Sequence, residues 1–188
     1  MIKPWRTVGQ RYALQTPFIN VRLDRCELAD GRMIDPYYTV EFPGDWANVV
    51  AVTSDHQVVL TRQYRHAAGV VLLETVGGGI EPTDTSPAAA ALRELREETG
   101  YISEDIEQVG LVYPNPALQN NRMYCFLARN CHYAGGTHLD AEEELEVVLK
   151  PLNEVIELLH GGGFGQALHC AALFFALARL QSRDGTSP

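Results

Sequence analysis

The sequence predicts an α/β fold, and three observations carry that expectation. Stretches with β-strand character lie on both sides of one well-capped helix near the middle of the chain. Two further helical stretches follow towards the C-terminus. Gly- and Pro-rich punctuation separates the elements. The chain has 188 residues, 46 % of them hydrophobic and 21 % charged, so one domain with a substantial core and a small appended element is expected.

Residues 6–45 read as a β-rich lead-in. Phe18, Val21 and Leu23 fall in a strand-like stretch, Asp30-Gly31 suits a two-residue hairpin turn, and residues 37–42 form the return strand. Pro43-Gly44-Asp45 breaks the pattern. The expected division is therefore an N-terminal segment 1–45, a main domain 46–182 and a flexible tail 183–188. The main domain opens with strands over 48–53 and 58–64, joined through Ser54-Asp55-His56. The second strand ends in Arg62-Gln63-Tyr64-Arg65. Guanidinium forks suit phosphate oxygens, although two arginines at a surface strand end are often simply solvated. Residues 70–76 read as the next strand, with Glu74 near its end, and run into Gly77-Gly78-Gly79.

The central helix follows. Ser86 suits the N-cap, Pro87 the first helical position and Gly100 the left-handed stop. Ala88, Ala91, Leu92 and Leu95 recur at helical spacing and are expected to form the buried stripe. Glu94, Glu97 and Glu98 sit at i, i+3 and i+4, which places three carboxylates together, on the side expected to face away from that stripe. Like charges at that spacing repel by roughly 0.2–0.5 kcal/mol per pair, and the helix C-terminal half disfavours anions. A solvated acidic face softened by Arg93 and Arg96 is one reading. A hard divalent cation held by oxygen ligands is the other, and adjacent glycine backbone able to approach a phosphate favours it.

Beyond the helix, residues 106–112 and 123–128 read as strands around the stiff loop Tyr113-Pro114-Asn115-Pro116-Ala117. The acidic run 139–146 leads into a strand over 145–149. An amphipathic helix is expected over 151–160 and a core helix over 166–181. Net charge is −9, which argues against nucleic acid or an anionic membrane as partner. Cys26, Cys125, Cys131 and Cys170 show no metal-ligand spacing, and reduced thiols in a cytoplasmic protein are expected. The first ten residues contain no apolar signal region. Gly161–Gly163 precede no GK[ST], and there is no G-x-S-x-G, so neither a P-loop nor an α/β-hydrolase site is present. The histidines other than His160, among them His169, read as surface or satisfied core positions.

The stretch Gly77 to Tyr101 resembles the signature of the Nudix hydrolases, G-x5-E-x7-R-E-U-x-E-E-x-G-U, with U a bulky apolar residue. Arg93 to Gly100 match its second half, and Tyr101 stands in for the final apolar residue. The first half departs: Thr85 falls where the pattern wants Glu, and Asp84 is the nearest carboxylate, as if the loop carried one extra residue. The first Glu of the pattern mainly supports this loop in the family.

The resemblance implies an α/β/α sandwich around a mixed β-sheet, preceded by an N-terminal β-rich extension. It also implies hydrolysis of the pyrophosphate bond of a nucleoside diphosphate joined to another moiety. Within the family the chain looks most like the enzymes acting on ADP-ribose and nucleotide sugars. Glu94, Glu97 and Glu98, with the Gly77 carbonyl, would hold Mg²⁺ or Mn²⁺, and Arg93 would orient the glutamates. Arg65, and less strongly Arg62, would meet substrate phosphate, and Pro116 occupies the place of a proline that marks ADP-ribose pyrophosphatases. A further glutamate in the role of base falls on Glu143, with Glu142 and Glu144 as alternatives of register. The N-terminal segment is similar to one that helps form a homodimer and its substrate site. The same chemistry on a dinucleoside polyphosphate or coenzyme A is the alternative within the enzymes, and a nucleotide-sugar-binding sensor the alternative outside them. All three signature glutamates are present, which favours the enzyme.

Overall fold

The structure is a computed structural model that describes residues 2–139 and 144–183. Its chain divides into two compact units, Met1–Asp45 with Tyr113–Arg122, and Trp46–Val112 with Met123–Pro188.

The first unit is a three-stranded antiparallel sheet, ordered β1 (Arg6–Gln15), β2 (Asn20–Glu27), β3 (Met33–Glu41). The hairpin between β2 and β3 turns at Asp30-Gly31 as expected, but three residues and not two lie inside its closing pair: Leu28 N–H donates to the Arg32 carbonyl at 2.8 Å, and Gly31 takes φ 85°. The strand β1 is added to the two that the sequence pattern marked. Its side chains are almost all exposed, so it carries no inside–outside alternation to read. The segment 113–122 joins this unit. Tyr37 donates to the Ala117 carbonyl at 2.7 Å, Val40 N–H donates to the Leu118 carbonyl at 2.7 Å, and Arg122 grips Asp45.

The second unit is a sandwich with the sheet in the middle. Its strands are β4 (Trp46–Thr53), β5 (Gln57–Arg65), β6 (Val70–Glu74), β7 (Val76–Gly79), β8 (Tyr101–Ile102), β9 (Asp105–Val112), β10 (Met123–Tyr133) and β11 (Leu145–Pro151). The path β11–β5–β4–β10–β8 is mixed, with β10 parallel to β4. The helices are α1 (Pro87–Thr99), α2 (Leu152–His160) and α3 (Ala167–Arg183). Alternation along β4 sorts the core: Val50 and Val52 join Leu159, Leu173 and Ala176 beneath α2 and α3, while Val49 and Ala51 join Ala91 and Leu95 beneath α1. Each fully buried leucine contributes about 1.5–3 kcal/mol from its removal from water. Among the described residues, no helix is long and apolar enough to cross a membrane.

The stretch that reads as one strand over 70–76 is broken at Thr75. β4 and β5 pair only near their turn, at Ala51–Val59 and Val52–Val58, and then splay apart. The chain enters this fork along β5, with Glu74 opposite Thr61, and leaves along β4, with Val76 opposite Val49. Thr75 forms the apex and belongs to neither ladder. It is 1 % exposed, so its backbone donor must find a partner inside the protein. That partner is the imidazole of His169 on α3, whose Nδ1 accepts from Thr75 N–H at 3.0 Å. A backbone N–H can only donate, so the ring proton resides on Nε2, 4.0 Å from a Glu74 carboxylate oxygen.

Burial pushes the pKa of His169 down from 6.5 to about 4, outweighing the pull of Glu74, while the Arg65 charge acts with burial. Between those two pH values the unfolded chain takes up a proton that the folded chain refuses. Stability is therefore lost as pH falls through this window, and this residue contributes no slope above it. Melting temperature recorded from pH 7 to pH 4 should decline with a smaller slope in His169→Asn than in the wild type.

Candidate functional site

The cap residues set α1. Ser86 has extended backbone and accepts from Ala89 N–H through its hydroxyl at 3.1 Å, Pro87 follows, and Gly100 closes the helix at φ 74°. The buried face is rotated from the expected stripe: Ala90, Ala91, Leu95, Glu98 and Thr99 are buried, while Ala88 and Leu92 are only partly covered. Glu98 lies two turns beyond Ala91 and one beyond Leu95, so it belongs to the core-facing seam and does not share one outer face with Glu94 and Glu97. The three glutamates thus descend from water into the protein. The Glu97 side chain is 40 % exposed and that of Glu94 13 %, whereas Glu98 is buried.

Arg93 binds this group together. Its Nη1 donates to Glu94 Oε1 and Glu97 Oε2, each at 2.9 Å, and its Nη2 donates to the Gly79 carbonyl at 2.9 Å. Nε and Nη2 also meet the two carboxylate oxygens of Asp84 at 3.1 and 3.2 Å. Asp84 in turn accepts from Glu81 N–H at 2.8 Å, which fixes the loop. The departure of the sequence from the signature is resolved here: Asp84, one residue off the expected spacing, reaches the arginine. Burial works against the Arg93 charge, but the bonds to Asp84 and Glu97 and the field of Glu94 outweigh it and raise its pKa. The hydrogen bond from Arg93 holds the Asp84 carboxyl below its usual range.

The glycine stretch packs closely against this group. A Cβ on Gly78 would lie 2.4 Å from the Glu94 carboxylate, and one on Gly77 would lie 2.6 Å from the Ala47 carbonyl oxygen. Backbone and carboxylate therefore approach in a way that only glycine allows. Among the described residues, no three His, Cys, Asp or Glu side chains converge on one point. The chemistry nevertheless fits a hard divalent cation: the donors are carboxylate and carbonyl oxygens, two of the carboxylates already converge on one cationic nitrogen, and the Gly78 cradle seats Glu94 against the glycine backbone.

The other expected residues fall as follows. Arg65 is paired with the buried Glu74, Nε lying 3.1 Å from both carboxylate oxygens, and Gln166 donates to the same carboxylate at 3.1 Å. Arg62 pairs with Glu146 across β5 and β11 at 2.7 Å. Glu142 and Glu143 lie outside the described residues, and Glu144 is exposed. Pro116 belongs to the first unit, where it lines a hollow of about 350 Å³ with Arg22, Tyr37, Tyr113 and Gln119. Sequence reasoning assigned no role to Asn48, Gln166 or His169. A polar residue inside an apolar strand or helix was their only signal.

An acidic, glycine-cradled helix on one face of a mixed sheet, with two helices on the other, is matched by what is known of other proteins. The NUDIX domain family matches residues 44–167, and the chain belongs to the Nudix family. The nucleoside diphosphate sugar hydrolase N-terminal domain matches residues 5–40. The chain is 25 % identical to an ADP-ribose pyrophosphatase of Bacillus subtilis (strain 168) over 95 % of its length and 94 % of the relative's. It is 35 % identical to an ADP-sugar pyrophosphatase of Mus musculus over 74 % of its length and 66 % of the relative's. A crystal structure of an ADP compounds hydrolase shares the fold with a TM-score of 0.84 at 21 % identity, covering 99 % of both chains.

Asp84→Ala should destabilise the protein by about 1–3 kcal/mol, since it removes two charge-assisted hydrogen bonds from a partly buried guanidinium. Urea denaturation at pH 7 measures this. The difference from wild type is present in full above pH 3.8, the ordinary aspartate value, and is lost as pH falls through the lowered folded value.

Proposed function

We propose that this protein is a metal-dependent pyrophosphatase whose substrate is ADP-ribose or a closely related nucleotide sugar. The observation that carries this reading is the apposition of Glu94 to the Gly78 backbone, with Arg93 tying Glu94 to Glu97. The kinship with an ADP-ribose and an ADP-sugar pyrophosphatase supports the substrate class.

Glu94, Glu97 and Glu98, with the Gly77 carbonyl, hold Mg²⁺ or Mn²⁺. Such a cation, when bound, offsets phosphate charge in the transition state and lowers the pKa of water. Arg93 keeps the two outer carboxylates aligned against their mutual repulsion. Arg65, on the end of β5, meets a phosphate oxygen while Glu74 fixes its angle; Arg62 adds positive charge on the same strand. Water adds to one phosphorus, the bridging P–O bond breaks, and the proton from the water passes to a carboxylate, Glu143 in this proposal. With ADP-ribose the products are AMP and ribose 5-phosphate. Pro116 and its loop shape the sugar or base side of the substrate. The exposed apolar side chains of Val8, Tyr12 and Leu14 on β1 support a homodimer built through the N-terminal strands, and the cellular site proposed is the cytoplasm.

Chromatographic product analysis with Mg²⁺ and ADP-ribose should show AMP, and Glu98→Gln should lower kcat/KM at least about 100-fold, or about 2.7 kcal/mol. Full activity in that variant, or ligand-dependent thermal shifts with no product from ADP-ribose, nucleotide sugars, a dinucleoside polyphosphate or coenzyme A, would overturn the assignment. Gly78→Ala, which displaces the Glu94 carboxylate, should cost about 100-fold in kcat while the protein remains folded by circular dichroism.

A further inference from the structure

Behind the glycine stretch lies a buried polar cluster of which the proposed chemistry uses only Glu74, as the anchor of Arg65. His169 is 6 %, Asn48 2 %, Thr75 1 % and Glu74 1 % exposed. Four polar side chains at this depth are costly unless their bonds are satisfied; here Thr75, Asn48 and His169 bond one another, and Glu74 is held by Arg65 and Gln166. Thr75 Oγ1 donates to Asn48 Oδ1 at 2.8 Å and lies 2.9 Å from His169 Nδ1. The Asn48 amide then packs beneath Gly77, where its Nδ2 would stand 2.9 Å from a Cβ. One turn earlier along the chain, Gln166 donates to Glu74, which carries Arg65.

Gln166 and His169 are thus neighbours, three residues apart at the start of α3, and each reaches one side of the bend in the fork of the sheet. Gln166 reaches Glu74, the residue before the apex. His169 reaches Thr75, the apex itself. The two residues after the apex lead to the carbonyl assigned to the cation. An apolar residue at 169 would leave the Thr75 N–H without its acceptor, and the bend would relax towards whatever acceptor it could find.

We infer that His169 is a positioning residue for the cation site: by accepting from Thr75 N–H and bracing the Thr75–Asn48 pair, it sets the place of the Gly77 backbone. This rests on the cation-site reading above. Groups that orient direct ligands in this way typically change metal affinity by about 10–100-fold when removed.

The test is Mn²⁺ binding to ligand-free protein, read from the electron paramagnetic resonance signal of the unbound ion, well below the melting temperature of each variant. His169→Leu should weaken Mn²⁺ binding by about tenfold or more. His169→Asn, whose Oδ1 can take the place of Nδ1 as acceptor, should restore it. Kinetics with ADP-ribose should show the loss in His169→Leu relieved by raising Mn²⁺, which a general loss of folding would not allow. Unchanged Mn²⁺ affinity in His169→Leu, with Glu98→Gln weakened, overturns the inference and leaves the site reading intact. Unchanged affinity in Glu98→Gln overturns the site reading and this inference with it. Should His169→Leu fail to fold, His169→Phe, a planar ring of similar size with no acceptor for Thr75 N–H, decides the matter: weakened Mn²⁺ binding supports the inference and wild-type binding overturns it.

Discussion

Three carboxylates in the last two turns of a helix repel one another and oppose the helix dipole, and the guanidinium of Arg93 offsets this for the outer two, Glu94 and Glu97. A lysine could neutralise one of them. Arg93 instead distributes its planar donors over Glu94, Glu97, the Gly79 carbonyl and both oxygens of Asp84. One side chain therefore fixes the helix surface, the glycine backbone and the preceding loop with respect to each other. The loop can carry an aspartate in place of the glutamate of the signature because what matters is a carboxylate within reach of that fork.

The second constraint is the fork in the sheet. Because β4 and β5 pair only near their turn, the chain that fills the gap must reverse at a buried point. Reversal takes the Thr75 backbone out of both ladders, and the protein answers with a buried imidazole from the opposite layer. The glycine stretch that faces Glu94 begins at this bend, so the geometry of the site is inherited from a sheet irregularity and from the helix packed behind it.

The parts of the fold that depend on local chemistry were legible in the sequence. The α1 caps stand at Ser86, Pro87 and Gly100 as read, and the hairpin turn at Asp30-Gly31 stands where its dipeptide placed it. What depended on distant partners was not. Residues 70–76 are uniformly suited to a strand, and only the splay of β4 from β5 explains why they break at Thr75. The burial of Glu98 was missed because its charge suggested the solvent face, whereas its spacing from Ala91 and Leu95 places it on the core seam. Arg65 was legible as a phosphate-suited fork, but its tether to Glu74 depends on pairing across β5 and β6, which spacing along the chain does not report. His169 read as a satisfied core histidine or a surface one. The first description was right, yet the identity of its partner came only from the packing of α3 on the sheet.

The parallel pairing of β10 with β4 has a consequence for how the molecule is made. Met123 aligns with Trp46, so the middle of the sheet joins segments far apart in the chain, and loop-closure entropy must be overcome before that contact is rewarded. The helix bearing the glutamates is synthesised between them. Its inner face rests partly on Phe126, Ala128 and Cys131 of the later strand. On the ribosome, α1 therefore emerges with β4, β5 and β7 already made beneath it, and only the part of its cover that β10 supplies waits for the second half of the chain.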